Sequence, residues 1–564
     1  MPSAKCGSAD EEGHDGKEEI DKAWDENKDL DLHCDYLVVG GGCSSCSLVA
    51  CLAAAGKSVV VVEAGGAEPW ERKVVDDPQS WFAAASHGRP VSRLYRTVPQ
   101  LAVLSKLMPA FRGEGFGGTG NVNACIWCRG RREDYQQWPW KLEDIEKGFE
   151  FAERSLRVKR VPAKGSGAAM CAMMRESGFK TCKEELWAED GVAEGLYATV
   201  QGEAGTRTSA WKELVSPWIA KGRVKVYPHC NVSRVIFDRK KVVLCAGAFD
   251  SPKILLLSGI GDPEELEEKT VPPLINNPNV GRHLQDHLIL VAAFAARKPL
   301  RSCDTNDIGT HGMCHVTIRR ESRRRHGQIL FKDSWNAWEV LPELCSGMVL
   351  GQNIGSEVIS RVVLIVCKLV FYIPGIKWML RQSLTAGICM MDPRSRGRVR
   401  LRSNDPRDPP LIDPRYLSEE SDLVLLHDLW STFKSVKTSP SAKEWILAEL
   451  LPGAPLMYGE SMSWFKWWVK LACSSYFHPV GTCRMPSGKE WETRQSNELS
   501  SVSVVDAFLR VHGTVGLRIA DCSVAPRIPS APTQAMAYMI GYQAAQLMLG
   551  TRTPKVGREE SETR

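Results

Sequence analysis

The stretch YLVVGGGCSSCSLVACLAAAGKSVVVVEAGG, Tyr36 to Gly66, constrains the fold of this chain more than any other. Leu37, Val38 and Val39 make a short β-branched-rich run that stops at three glycines. A small-residue segment follows, and Val59 to Val62 form a second apolar run ending in Glu63. The order is strand, tight turn, helix, strand. Gly40 lets the backbone turn sharply off the first strand. Gly42 removes the side chain that would keep a diphosphate from the amides of Cys43 and Ser44 at the helix N-terminus. Glu63 follows Gly42 by 21 residues, the distance at which an acid ending the second strand accepts hydrogen bonds from a ribose. The pattern predicts a βαβ unit for the ADP half of a dinucleotide. Ser45 replaces the third glycine of the fingerprint and is small enough to keep the fold with slightly looser packing.

A chain of 564 residues exceeds what one hydrophobic core usually spans, so two domains are expected. The balance of 72 basic against 67 acidic residues, a net +5, is too even to imply a nucleic-acid partner. The local run RRESRRRH, Arg319 to His326, reads as a solvated loop. Residues 1–32 are strongly polar, lack an apolar signal core and read as a disordered tail. The 19 cysteines are therefore expected to be reduced and the protein cytoplasmic, with contact at a membrane surface as a second reading. Two C-x-x-C pairs, Cys43/Cys46 and Cys125/Cys128, raise the question of a metal. Both fall in segments better explained as backbone lying against a cofactor, and no metal site is assigned.

Phe111 to Trp138 contains Gly113, Gly115, Gly117, Gly118 and Gly120, too many glycines for a helix or strand interior but suited to close backbone approach to a planar ligand. Together with the opening motif, this loop resembles the glucose–methanol–choline oxidoreductases, in which a corresponding GG-S-x-x-x-N loop lies against a flavin. The resemblance implies that Gly118, Thr119, Asn123 and Cys125 line the isoalloxazine of FAD. Some members carry a histidine near this asparagine that bonds the flavin covalently. Here the neighbour is Val122, so FAD is expected to be held noncovalently.

The resemblance continues in blocks. Thr206 to Phe237 resembles the segment that brings a valine backbone, here Val232, to the adenine end. Lys240 to Gly261 and Val280 to His287 (VGRHLQDH) match the closing strand, the helix after it and a loop near the flavin. Members usually insert roughly 20 residues of β-hairpin where this chain passes only through Asp238 and Arg239, so a short sheet is expected there. In Ser395 to Leu423 the alternation of Val399 and Leu401 with basic residues reads as an antiparallel strand, followed by a Pro-rich turn and a helix. Val358 to Arg381 is apolar but broken by Arg361, Lys368 and Pro374, short of the ~18 uninterrupted residues of a membrane span. It reads as a buried helix in preference to an amphipathic surface helix. Ser463 to Leu471 is read the same way, with Trp464, Trp467, Trp468 and Leu471 as a core stripe.

The most specific match runs from YFHPVGTCRM at Tyr476 to Leu549. It implies that His478 is the catalytic base, a role suited to an imidazole whose neutral form accepts a hydroxyl proton near neutral pH. Asp521 matches the position whose neighbouring backbone holds the diphosphate and ribityl chain. Pro529 to Met536 lead into a last helix whose N-terminus, with Thr533, would face the pyrimidine end of the ring. One departure is marked. The family's second catalytic residue, an Asn or His, is replaced by Pro532, which has no side-chain donor. The family's light-driven decarboxylases lack the histidine of HPVGT, so photochemistry is a poor fit.

The reading is a two-domain α/β flavoprotein. A Rossmann-like FAD domain is expected over 33–150, 203–290 and 473–550, and an antiparallel-sheet substrate domain over 151–202 and 291–472, with a C-terminal tail at 551–564. The function implied is FAD-dependent oxidation of a primary alcohol, choline-like or long-chain, to an aldehyde, with oxygen or a quinone as electron acceptor. A flavin-containing lyase and a degenerate flavin-binding protein are the alternatives.

Overall fold

The computed structural model describes residues 33–66, 91–184, 186–201, 205–236, 241–297, 312–320, 323–333, 383–451 and 461–555, with isolated residues between 75 and 85 and between 365 and 375. The two main sheets draw on β1 (Tyr36–Val39), β2 (Val59–Val62), β3 (Gly191–Ala193), β4 (Val224–Tyr227), β5 (Val242–Leu244), β6 (Leu288–Ala296), β7 (Gly312–Arg320), β8 (Arg323–Asp333), β9 (Ser383–Met390), β10 (Ile446–Leu451) and β11 (Leu517–Ile519). Helices include α1 (Cys43–Ala54), α2 (Gly247–Leu257), α3 (Glu420–Lys434), α4 (Met462–Ala472) and α5 (Gln534–Met548).

One sheet is parallel, in the order β4-β2-β1-β5-β11, with Leu37 opposite Val60 on one side and Val242 on the other. Strands covered on both faces need apolar residues at every position, which the run Val59–Val62 supplies. The sequence-derived order of strand, turn, helix and strand holds from Tyr36 to Val62. Helix α1 is buried almost all round and packs on α5. A Cβ on Gly541 of α5 would lie 1.9 Å from the Ser44 carbonyl oxygen, so this approach requires glycine. Ser45 is fully buried and its hydroxyl has no partner, the cost of replacing the third glycine.

The other large sheet is antiparallel, in the order β10-β6-β9-β8-β7-β3, with Ser474–Ser475 paired to β6. Its period-2 alternation sorts side chains between two faces. Leu288, Leu290, Ala292, Leu384, Ala386 and Ile388 enter a core with α3 and α4, while Ile289, Val291, Thr385 and Gly387 turn toward a cleft.

Several expectations are corrected. The described residues of Arg319 to His326 are not a loop: Arg319 and Arg320 of β7 pair with Arg324 and Arg323 of β8, while 321–322 lie outside the described residues. Ion pairs of Arg320 with Asp428 and Arg325 with Asp422 offset that like-charge pairing. Val399 does lie in an antiparallel strand, Gly397–Arg400, but it pairs with Arg282–Leu284 and Leu411–Asp413 in a separate sheet. In α4 the buried stripe is Phe465, Trp468, Val469 and Ala472; Trp467 is 46% exposed. Most of Val358–Arg381 lies outside the described residues, and its described apolar members Ile365, Val366, Leu369 and Ile373 are exposed, against the buried helix expected. Asp238, Arg239 and the tail 1–32 also lie outside the described residues. Among those described, no helix is long and apolar enough to cross a membrane.

Candidate active site

A cleft of about 470 Å³ runs from the carboxyl ends of β1 and β2 to the cleft-facing side of the antiparallel sheet. Gly40, Gly42, Cys43, Ser44, Glu63, Gly118, Thr119, Asn123, Val232, Asp521, Thr533, Pro532 and His478, all singled out from the sequence, line it. Cys125 does not. Its backbone is left-handed (φ 59°), and its fully buried thiol lies under the loop, 2.9 Å from Arg207 Nη1.

At the βαβ end, Gly40 adopts φ 100° with its Cα against the Cys245 carbonyl, so a Cβ there would sit 2.5 Å from that oxygen. A Cβ on Gly42 would instead meet nothing within 4 Å and would project into open space. The N-terminus of α1 beyond it has no side-chain cap and no acid in its first turn, leaving amides and the positive end of the helix for an anion. Arg112, half-buried on the cleft wall beside Phe477, has a buried Nε without a partner. These features fit the diphosphate and ring of a dinucleotide.

Glu63 has a task that spacing did not reveal. Its Oε2 accepts from Gly41 N at 2.6 Å, and its Oε1 accepts from Gly65 N at 2.9 Å and Gly115 N at 3.0 Å, so it joins both glycine turns. Burial pushes its carboxyl up, and the three amides act against that shift. Asp521 is similarly engaged: it accepts from Gly247 N, Ser523 N and the Ser251 hydroxyl, fixing the turn before α2. Sequence reasoning missed Arg207. This buried guanidinium donates to the carbonyls of Val75, Gly120 and Asn123 and to Asn123 Oδ1, holding the loop around Asn123 in place.

His478 sits at the other end, just after Phe477, whose φ of 62° is strained for an aromatic residue. Its neighbours are held one by one. Tyr476 N donates to His287 O (2.9 Å), Phe477 N to Ser475 Oγ (2.8 Å) and His478 N to Asp286 Oδ1 (2.7 Å), while Arg112 donates to Phe477 O (2.6 Å). The rings of His478 and His287 meet edge-to-face with their Nδ1 atoms 3.0 Å apart. Burial, then His287 and Arg112, hold the His478 pKa well below its usual value, so the ring is neutral near pH 7. At the start of α5, Thr533 makes no cap bond. Gln534 accepts from Asn123 Nδ2 (2.8 Å) and donates to Thr199 Oγ1 (3.3 Å), so its amide is committed to the loop.

A cleft that offers free amides at one end and a neutral imidazole with a guanidinium beside it at the other has the architecture of a dinucleotide-dependent oxidoreductase. GMC oxidoreductase sequence profiles match residues 34–242 and 236–289 at the N-terminal side and 393–541 at the C-terminal side. The alcohol dehydrogenase [acceptor] of Pseudomonas putida is 26% identical over 91% of this chain and 95% of its own length. The choline oxidase of Arthrobacter globiformis is 26% identical over 94% and 97%. Pyridoxine 4-oxidase from Mesorbium loti has the same fold, with a TM-score of 0.73, 21% identity, and coverage of 92% of this chain and 100% of that one. The chain belongs to the GMC oxidoreductase family; it is an FAD-dependent oxidoreductase acting on CH–OH groups.

Proposed function

We propose that the protein oxidises a primary alcohol to an aldehyde, with His478 as the general base and FAD held noncovalently between residues 33–150, 203–290 and 473–550, the substrate side being built from 151–202 and 291–472. The observation that carries this reading is the neutral ring of His478 on the wall of the same cleft as the glycine turns. Its Nδ1 is engaged by His287, which leaves Nε2 to take the hydroxyl proton. FAD, when bound, supplies the hydride acceptor. The uncapped N-terminus of α5 and the half-buried Arg112 favour negative charge in the cleft. Val122 has no nucleophile to bond the flavin, which supports noncovalent binding.

Of the two alcohol classes, the long-chain one fits better. Ile289, Val291, Leu330 and Gly387 make the sheet side of the cleft apolar, and of the acids on the wall Glu63, Glu114 and Asp521 belong to turns while Asp250 is in the first turn of α2, bonded by Tyr95. Oxygen or a quinone would reoxidise the flavin. Anaerobic mixing of the holoenzyme with methanol, 1-octanol, benzyl alcohol and choline tests the reading. The flavin absorbance should bleach, fastest with an apolar alcohol. No bleaching by any alcohol would favour a lyase or a protein without turnover.

A further inference from the structure

Gln285, Asp286 and His287 run beside Tyr476–Val480 and hold it residue by residue. Gln285 and Val480 exchange both backbone hydrogen bonds (3.0 and 2.9 Å), and Asp286 holds the His478 amide. His287 alone in this clamp reaches the His478 ring. We propose that His287 is a positioning residue: its Nδ1 accepts the Nδ1 proton of His478 and fixes the tautomer whose Nε2 is free to accept a proton from an alcohol. The inference rests on the reading of His478 as the base.

Between two Nδ1 atoms 3.0 Å apart, one must donate and the other accept, and a neutral imidazole carries one N–H. The direction follows from the role of His478. A neutral His478 that accepts a proton at Nε2 carries its one N–H on Nδ1, so it is the donor across this contact. The Nδ1 of His287 is then the acceptor, and the single proton of its neutral ring lies on the buried Nε2. Complete burial drives the His287 pKa down to about 3, which keeps it neutral and able to accept. His478 then carries its proton on Nδ1. When the alcohol proton arrives at Nε2, the resulting imidazolium keeps the same Nδ1–H bond to His287, so no reorientation accompanies the transfer. This is the logic by which a third group orients a catalytic imidazole, here with a neutral acceptor in place of a carboxylate.

Two measurements test it. In holoenzyme labelled with ¹⁵N at histidine, with His478 assigned from its missing signal in His478→Gln, the ring should resonate as the Nδ1-protonated tautomer. A proton on Nε2 would overturn the inference without recourse to activity. In the second, His287→Leu removes the acceptor and His287→Asn replaces it with an amide oxygen. With whichever of methanol, 1-octanol, benzyl alcohol or choline reduces the native flavin fastest, the limiting reduction rate should fall roughly 10–100-fold in His287→Leu. The half-saturating alcohol concentration should stay put, and His287→Asn should recover most of the rate. Native rates in both variants, or equal losses in both, would overturn it; if His287→Leu does not fold, the native tautomer still decides. A His478→Gln enzyme that reduces its flavin at the native rate would count against His478 as base, a failure distinct from that of His287.

Discussion

Arg207 does the most of any single residue for the shape of the flavin loop. It is 4% exposed, and its guanidinium satisfies acceptors on Val75, Gly120 and Asn123 while lying against Cys125 Sγ. Arg207→Ala would leave those buried acceptors unpaired, at about 1–3 kcal/mol or more. We expect a lower melting temperature and loss of FAD on gel filtration, with Arg207→Lys little better because an ammonium cannot reproduce the planar fork. Native FAD retention in both variants would show that the loop holds itself. Glu63 was legible from its spacing to Gly42, but its grip on Gly41, Gly65 and Gly115 was not, since one of those partners lies 52 residues away. Cys125 was misplaced for a related reason. Its neighbours in sequence line the cleft, and only its left-handed backbone turns the thiol beneath them.

Among the elements, β1, α1 and β2 were legible because their signals are local: two valine-rich runs, glycines at the turn and an acid at the end. The contact of α1 with α5 was not, because it joins segments at opposite ends of the chain. Gly541→Ala tests it. The added methyl meets the Ser44 carbonyl, a backbone atom that cannot swing aside, so the helices must separate. We expect a loss of roughly 1–3 kcal/mol in urea unfolding, together with weaker FAD binding, because α1 carries the amides that face the diphosphate. A variant as stable as the native protein would mean that α5 slides freely on α1. The β7–β8 hairpin escaped notice because an arginine run lacks strand alternation; its register comes from partners such as Asp428 and Asp422, supplied by the fold.

Over the whole molecule, burial of neutral histidines ties stability to pH. His315, 2% exposed in β7, has its pKa lowered by burial to about 3. The unfolded chain binds this proton near pH 6.5 and the folded chain only near 3, so between those values acid favours unfolding. Native stability should fall relative to a His315→Gln variant by about 1.4 kcal/mol per pH unit on acidification from 6.5, and the two should run parallel above 6.5. Parallel curves throughout would mean that His315 protonates in the folded state. The same neutrality at His478, set beside Asp286 and His287 just before β6 and beside Arg112, is what the proposed chemistry depends on. The decisive measurement is anaerobic flavin reduction by the fastest alcohol in native and His478→Ala holoenzymes of equal FAD content. Loss of the base should slow reduction roughly 10²–10⁴-fold while FAD stays bound, whereas equal rates would contradict a base at this position.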